Sequence, residues 1–218
     1  MEIWDKSIAV EEDLIKANEE LAERNREFFE KNNITTFEIL GNIGSGKTSL
    51  IEALVSELKD KYKILVINGD LATSIDADRI KKYGVEAIQI NTGKECHLDA
   101  LTIKPALEKI KEKIDVCLIE QVGNMICPAD FPLGAKKRIV VFEVTNGPYI
   151  VQKHPVIFAT TEIVLINKID IAEYVGMDQN ALNKLEADAK KINSKLKVIF
   201  TSAKTKQGIP ELIQALEL

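Results

Sequence analysis

The sequence predicts an α/β fold, a mostly parallel sheet with helices on both faces, preceded by an N-terminal amphipathic helix. Three observations predict it. After residue 33, short apolar runs rich in β-branched residues alternate with helical stretches; most of those runs are apolar on both alternating faces; and a glycine-rich turn of phosphate-loop spacing follows the first of them. Strands buried on both faces belong to parallel sheets covered by helices, and such sheets bind ligands beyond their strand C-termini.

The elements follow in order. From about Ala9 to Lys31 the chain is polar and free of Gly and Pro, with Val10, Leu14, Ala17, Leu21 and Phe28 recurring at three, four or seven residues. That spacing predicts a helix with a narrow apolar stripe, laid across the main domain or a partner. After Asn32 and Asn33 the expected strands are Thr36–Leu40, Lys63–Ile67, Glu86–Ile90, Ile114–Ile119, Arg138–Val144, Glu162–Ile166 and Lys197–Phe200. The stretches expected to be helical include Thr48–Leu58, Leu98–Lys113 and Gln179–Ile192, with Pro210–Leu216 closing the chain. This alternation implies βα crossovers, and chemistry placed in the loops that follow strands.

Composition narrows the function. The 218 residues suffice for one large domain or one domain with an appendage, and 45% hydrophobic against 29% charged residues is an ordinary globular balance. With 29 basic against 34 acidic residues the net charge is −5, so no general positive field exists to hold nucleic acid or an anionic membrane. No apolar run approaches the roughly 18 residues of a membrane span, and no export signal is apparent. Three cysteines, Cys96, Cys117 and Cys127, form an odd set in a chain too large to need disulfides, which points to reduced thiols in the cytoplasm.

Gly41-Asn42-Ile43-Gly44-Ser45-Gly46-Lys47-Thr48, with Ser49 after it, lies between an apolar strand and a helix, the context a phosphate loop requires. Glycines let successive N–H groups of Gly44, Ser45 and Gly46 turn toward phosphate oxygens. The helix N-terminus adds its positive end, Lys47 supplies a mobile charge, and the Thr48 hydroxyl is expected on Mg²⁺. The expected division is therefore an N-terminal helical extension over 1–33 and a P-loop NTPase domain over 34–218. Magnesium needs a carboxylate as well, and Glu120 ends the strand Ile114–Ile119. Glu120-Gln121-Val122-Gly123 resembles the Asp-x-x-Gly of nucleotide switches, with the Gly123 N–H placed to sense the γ-phosphate. Asp70 and Asp76, after the second strand, are further candidates to hold a metal-bound water. Catalysis is thus assigned to Lys47, Thr48 and Glu120.

Asn167-Lys168-Ile169-Asp170 and Ser202-Ala203-Lys204 each follow an expected strand. Together they select guanine: a carboxylate at Asp170 accepts from both N1–H and the exocyclic amine, a donor pair that adenine lacks. The Lys168 stem can lie over the base, Asn167 can tie this loop to the phosphate loop, and the Ala203 N–H can reach the guanine oxygen. GTP is the expected nucleotide.

Cys96 and His97 are expected to open the helix after Glu86–Ile90, and Cys127 lies four residues past Gly123. Thiolate and imidazole suit Ni²⁺ or Zn²⁺, and both loops belong at the strand ends where nucleotide binds. Three ligands leave a tetrahedral site one short; a second copy of the chain, a water or a carboxylate such as Glu95 could complete it. Cys117, inside an apolar strand, is read as a small core residue.

The order of these motifs resembles the nickel-insertion GTPases, and specifically their hydrogenase-maturation branch. The residues that carry the resemblance are Gly41 to Thr48, Gly69-Asp70 with Asp76-Ala77-Asp78-Arg79, Thr92 to Ala100, Glu120 to Asn124 with Cys127-Pro128, and Asn167 to Asp170, spanning roughly Thr35 to the C-terminus. The resemblance implies a GTP-dependent homodimer that binds nickel or zinc at the subunit interface through Cys96, His97 and Cys127. It also implies a nickel metallochaperone partner and the large subunit of a [NiFe] hydrogenase as recipient. The chain has neither the histidine-rich stretch nor the Cys-x-x-Cys-Gly-Cys run of some relatives, so nickel storage is not expected. Hydrolysis is expected to be slow, because no arginine finger is apparent and no glutamine follows Gly123. The competing readings are a metal-independent regulatory GTPase, a urease-type nickel-insertion GTPase, a P-loop kinase, and an interaction module whose hydrolysis is incidental.

Overall fold

The computed structural model describes the backbone of residues 2–218 and the side chains of residues 12–218. Seven strands form one sheet: β1 (Thr35–Gly41), β2 (Ile64–Asp70), β3 (Glu86–Asn91), β4 (Val116–Glu120), β5 (Lys137–Glu143), β6 (Ile163–Asn167) and β7 (Lys197–Phe200). Their order is β3-β2-β4-β1-β5-β6-β7, and every neighbouring pair is parallel. The helices are α1 (Glu2–Lys31), α2 (Lys47–Leu58), α3 (Ile75–Lys81), α4 (Lys104–Leu107), α5 (Cys127–Asp130), α6 (Ile150–Lys153), α7 (Pro155–Ala159), α8 (Gln179–Ile192) and α9 (Ile209–Leu216).

Side-chain alternation divides the core. Phe37 and Ile39 of β1, Val116 and Leu118 of β4, and Ile139 and Val141 of β5 pack with α2 and α9 on one face of the sheet. On the other face Leu40, Val140 and Phe142 meet α6, α7 and α8, while Cys117 and Ile119 meet Phe29 of α1 and Leu107 of α4. Residues of one strand that differ by one therefore serve opposite layers. Because β1 and β4 are neighbours with Ile39 opposite Glu120, the phosphate loop and the Glu120 loop leave the sheet side by side.

The N-terminal helix is present, but its docked face differs from the expected stripe. Asn18, Ala22, Asn25 and Phe29 are the buried positions, whereas Leu14 and Ala17 are exposed; Val10 lies outside the described side chains. The reason is polar docking. Asn18 accepts from the Ala100 N–H at 2.8 Å and donates to the Pro132 carbonyl at 2.9 Å, and Asn25 donates to the Ala100 and Leu133 carbonyls at 2.9 and 3.2 Å. Gly134 permits this close approach: a Cβ there would run into the Ala22 carbonyl of α1.

A second correction concerns Leu98–Lys113, where only Lys104–Leu107 is α-helical. Helical hydrogen bonding is intercepted by side chains. Gln121 takes both backbone groups of Leu98, Asn18 and Asn25 take those of Ala100, and the Asp99 carboxylate holds the Thr102 N–H at 2.7 Å. Cys96 and His97 consequently sit in a turn, not at a helix start.

Candidate functional site

The phosphate loop runs from β1 into α2. Gly46 adopts φ 96°, and a Cβ there would strike the Asn167 amide, so only glycine allows the Asn167–Asp170 loop to close on the phosphate loop. Asn167 donates to the Ser45 carbonyl at 2.8 Å and accepts from the Ala203 N–H at 3.2 Å and the Thr201 hydroxyl at 3.3 Å. The Ser202 hydroxyl donates to Asp170 at 2.7 Å. Asn167, Asp170, Ser202 and Ala203 line a cavity of about 500 Å³ with Gly46, Ser49, Lys168 and Lys204. Lys168, in the left-handed conformation at φ 63°, pairs with Glu143 at the end of β5. Sequence reasoning missed Glu143, because nothing local announces its partner 25 residues away.

Lys47 is buried and donates to the carbonyls of Gly41 and Asn42 at 3.0 and 3.2 Å. Burial lowers its pKa from the usual lysine range, opposed by the charges of Glu120 and Asp76. The Thr48 hydroxyl donates to Glu120 at 2.7 Å, and the Asn68 amide donates to the other Glu120 oxygen at 2.8 Å. Asn68 is the residue opposite Glu120 on β2, a contact set by register that the motif reading did not include. Burial pushes Glu120 up to about 7, although Lys47 and Thr48 favour its charge. Ser45 Oγ and Asn68 Oδ1 are buried without a hydrogen-bond partner. A hydroxyl, a buried carboxylate and orphaned polar atoms around one loop suit a nucleotide with a divalent cation, and Mg²⁺ fits that oxygen donor set.

Asp70 and Asp76 differ in what occupies them. Asp70 accepts from the Leu71 N–H at 2.7 Å, the Thr73 N–H at 3.0 Å and the Thr73 hydroxyl. Burial works against its charge, but these bonds outweigh it and hold the carboxyl below the ordinary range. Asp76 is the carboxylate whose charge reaches Lys47 and Glu120, and it is balanced by Arg79 at 3.4 Å. Arg79 itself is drawn to Glu52 at 2.6 Å and to the Ser49 hydroxyl at 3.1 Å.

Gly123 lies so close to Ile43 of the phosphate loop that a Cβ would collide with it, and Asn124 bridges to Gly41 in backbone pairing. Three residues later comes Cys127. The ligand atoms of Cys96, His97 and Cys127 all lie within 4.8 Å of one another. Cys96 is exposed, and a hydrogen bond with the Cys127 thiol, followed by burial and by the resistance of two close sulfurs to sharing negative charge, pushes the Cys96 thiol up. A soft cation between them relieves that resistance, so the donor set fits Ni²⁺ or Zn²⁺. The His97 ring packs on Phe131 with centroids 4.4 Å apart, and Asn124 donates to the Cys96 carbonyl at 3.4 Å; neither neighbour was legible from spacing. Cys117 is fully buried, as its strand context implied, and burial alone drives its thiol far above the usual range.

Comparison with known proteins gives the family of the chain. The family model described as the CobW/HypB/UreG nucleotide-binding domain matches residues 35–200. The chain is 47% identical over 209 residues to the probable hydrogenase maturation factor HypB of Methanocaldococcus jannaschii, covering 95% of this chain and 93% of that protein. It is 38% identical over 213 residues to the hydrogenase maturation factor HypB of Escherichia coli, covering 97% of this chain and 72% of that one. Among solved structures, HypB from Archaeoglobus fulgidus matches with a TM-score of 0.85 at 43% identity, covering 93% of this chain and 98% of that chain. HypB from Helicobacter pylori in complex with nickel matches with a TM-score of 0.84 at 33% identity, covering 92% and 95%. The chain therefore belongs to the HypB hydrogenase maturation factors of the CobW/HypB/UreG family of nucleotide-binding proteins.

Proposed function

We propose that this chain is a GTP-binding and GTP-hydrolysing metallochaperone that dimerises with nucleotide or metal and assists nickel insertion into a [NiFe] hydrogenase. The observation that carries the reading is the shared loop: Gly123 abuts the phosphate loop while Cys127, a few residues on, completes a cluster with Cys96 and His97. Nickel is the cargo, and the cited nickel complex of the Helicobacter pylori relative supports its choice over zinc.

In this reading Asp170 accepts from the guanine edge, Ser202 steadies Asp170, and Asn167 closes the base loop on the phosphate loop. Lys47 and the Gly44–Ser49 N–H groups hold the phosphates. Mg²⁺, held by Thr48 and Glu120 with Asp76 nearby, would neutralise charge gathering on the β- and γ-phosphate oxygens. Asp70 is better suited to shaping its own turn, since its oxygens are already engaged. Water attack on the γ-phosphate gives GDP and phosphate slowly, because Gln121 is committed to Leu98 and Glu38 and does not reach solvent. The chain then acts as a switch.

Dimerisation is supported by apolar side chains exposed on the segments that follow β1 to β4: Ile43 at 80%, Ile75 at 63%, Ile126 at 61% and Leu101 at 57%. All surround the nucleotide and metal loops, and a two-fold partner on that face would cover them and bring a second ligand set. A nickel metallochaperone partner and the hydrogenase large subunit are the exchange partners this role requires. Equilibrium dialysis with Ni²⁺ and Zn²⁺ tests the reading: sub-micromolar binding lost in Cys96→Ala is expected, no such binding by wild type would leave a metal-independent regulatory GTPase, and equally tight binding by the variant would overturn Cys96 as a ligand.

A further inference from the structure

Glu120 and Gln121 are consecutive, so they point to opposite faces of the sheet. Glu120 meets Thr48 and Asn68 on the phosphate-loop side. Gln121, 1% exposed, turns to the other side, where it is fully engaged. Its Oε1 accepts from the Leu98 N–H at 2.8 Å, and its Nε2 donates to the Leu98 carbonyl at 3.1 Å and to Glu38 at 3.0 Å. Leu98 immediately follows His97.

The opposing ligand loop is held by the next residues of the same network. Glu38 and Arg138 are register partners on β1 and β5, joined at 3.2 Å, and Glu38 is wholly buried. The Arg138 guanidinium donates to the Ala129 carbonyl at 3.1 Å and to the Pro128 carbonyl, and Pro128 immediately follows Cys127. Glu38 also accepts from the Leu133 N–H at 3.4 Å, beyond the same loop. A buried ion pair is a costly way to fill a core, and here each charge is spent on backbone groups of a loop that carries a ligand.

We infer that Gln121, Glu38 and Arg138 form an internal clamp whose task is to position the transition-metal ligands: Gln121 fixes Cys96 and His97 through Leu98, and Arg138 fixes Cys127 through Pro128 and Ala129. These are positioning residues, since none touches the ion or the nucleotide. The inference rests on the metal reading above for its purpose. Its geometry is independent of that reading, because the clamp sets the distance between two thiols whether or not a metal follows.

The experiment uses full-length protein with two variants. Gln121→Met keeps side-chain length and volume but removes both hydrogen-bonding ends, and Arg138→Lys keeps the charge opposite Glu38 while giving up the planar fork. Three quantities are measured on each: GDP affinity, Ni²⁺ affinity with the thiolate-to-nickel absorption, and, in metal-free protein, the rate at which dibromobimane crosslinks Cys96 to Cys127. Buried Cys117 does not compete for the reagent. The expected result is GDP affinity near that of wild type, Ni²⁺ affinity lowered about 10–100-fold with an altered absorption, and slower crosslinking in both variants. Unchanged crosslinking and unchanged Ni²⁺ affinity in variants that still bind GDP would overturn the clamp, as would a parallel loss of GDP affinity, which marks a general folding defect. If wild type binds no nickel yet crosslinking still depends on Gln121, the clamp stands and the metal reading falls.

Discussion

Asp170 shows how much a single side chain can decide at this site. Its carboxylate is steadied by the Ser202 hydroxyl at 2.7 Å, and the other acid lining the neighbouring cavity, Glu52, is paired with Arg79 at 2.6 Å. Guanine offers two adjacent donors, and an acceptor pair removed from beneath them leaves both desolvated and unmade. Asp170→Ala is expected to weaken GDP and GTP binding by about 10²–10³-fold, as two hydrogen bonds to a charged group require, while adenine nucleotide binding stays weak. Competition of a fluorescent GDP analogue by GTP and ATP measures both. An equal loss for guanine and adenine nucleotides would show that Asp170 shapes the loop without reading the base. At this scale the motif residues were legible because their partners sit in the motif itself or in another motif. Glu143, Gln121 and Asn68 were not, because each acts through register or through a loop far away in sequence, and spacing carries no trace of such contacts.

Helix α1 shows the same limit one level up. Its periodicity was readable, and so were α2 and α8, whose helical spacing and boundaries are local properties. Its docked face was not readable, because two asparagines form the interface where an apolar stripe was expected. Asn25 donates to carbonyls of Ala100 and Leu133, which belong to the loops after Cys96-His97 and after Cys127. The interrupted helix after Leu98 has the same origin: besides the local bond from Thr102 to Asp99, its backbone groups are claimed by side chains from 23 to 82 residues away. Asn25→Ala leaves two buried carbonyls without a donor and is expected to cost about 1–3 kcal/mol. Urea unfolding should show a lower midpoint with an unchanged slope. A midpoint equal to that of wild type would mean that α1 is held by Asn18, by Ala22 against Gly134 and by Phe29 without help from Asn25.

At the scale of the molecule, an all-parallel sheet with β1 at its centre sends the phosphate loop and the Glu120 loop out side by side, and Cys127 at the end of the second meets Cys96 and His97 from the segment after β3. The alternation of strands and helices announced the layers, but the strand order arises from crossovers that sequence pattern does not specify. In the proposed function, that order is what lets nucleotide, metal and a second subunit meet on one face. Coupling between binding events is reciprocal: if, in the proposed function, GTP favours the dimer and the dimer favours metal, metal must favour GTP. Light scattering of wild type with GDP, a non-hydrolysable GTP analogue, Ni²⁺, and analogue plus Ni²⁺ is expected to show doubled mass with analogue or metal, at lower protein concentration when both are present. Ni²⁺ affinity should be higher with the analogue than with GDP in wild type. In Cys127→Ala that difference should vanish, because Cys127 is the ligand that shares a segment with Gly123. A Cys127→Ala protein whose Ni²⁺ affinity still changes with nucleotide would place the link elsewhere on this face, in the Asp70–Arg79 segment that brings Asp76 within electrostatic reach of Lys47.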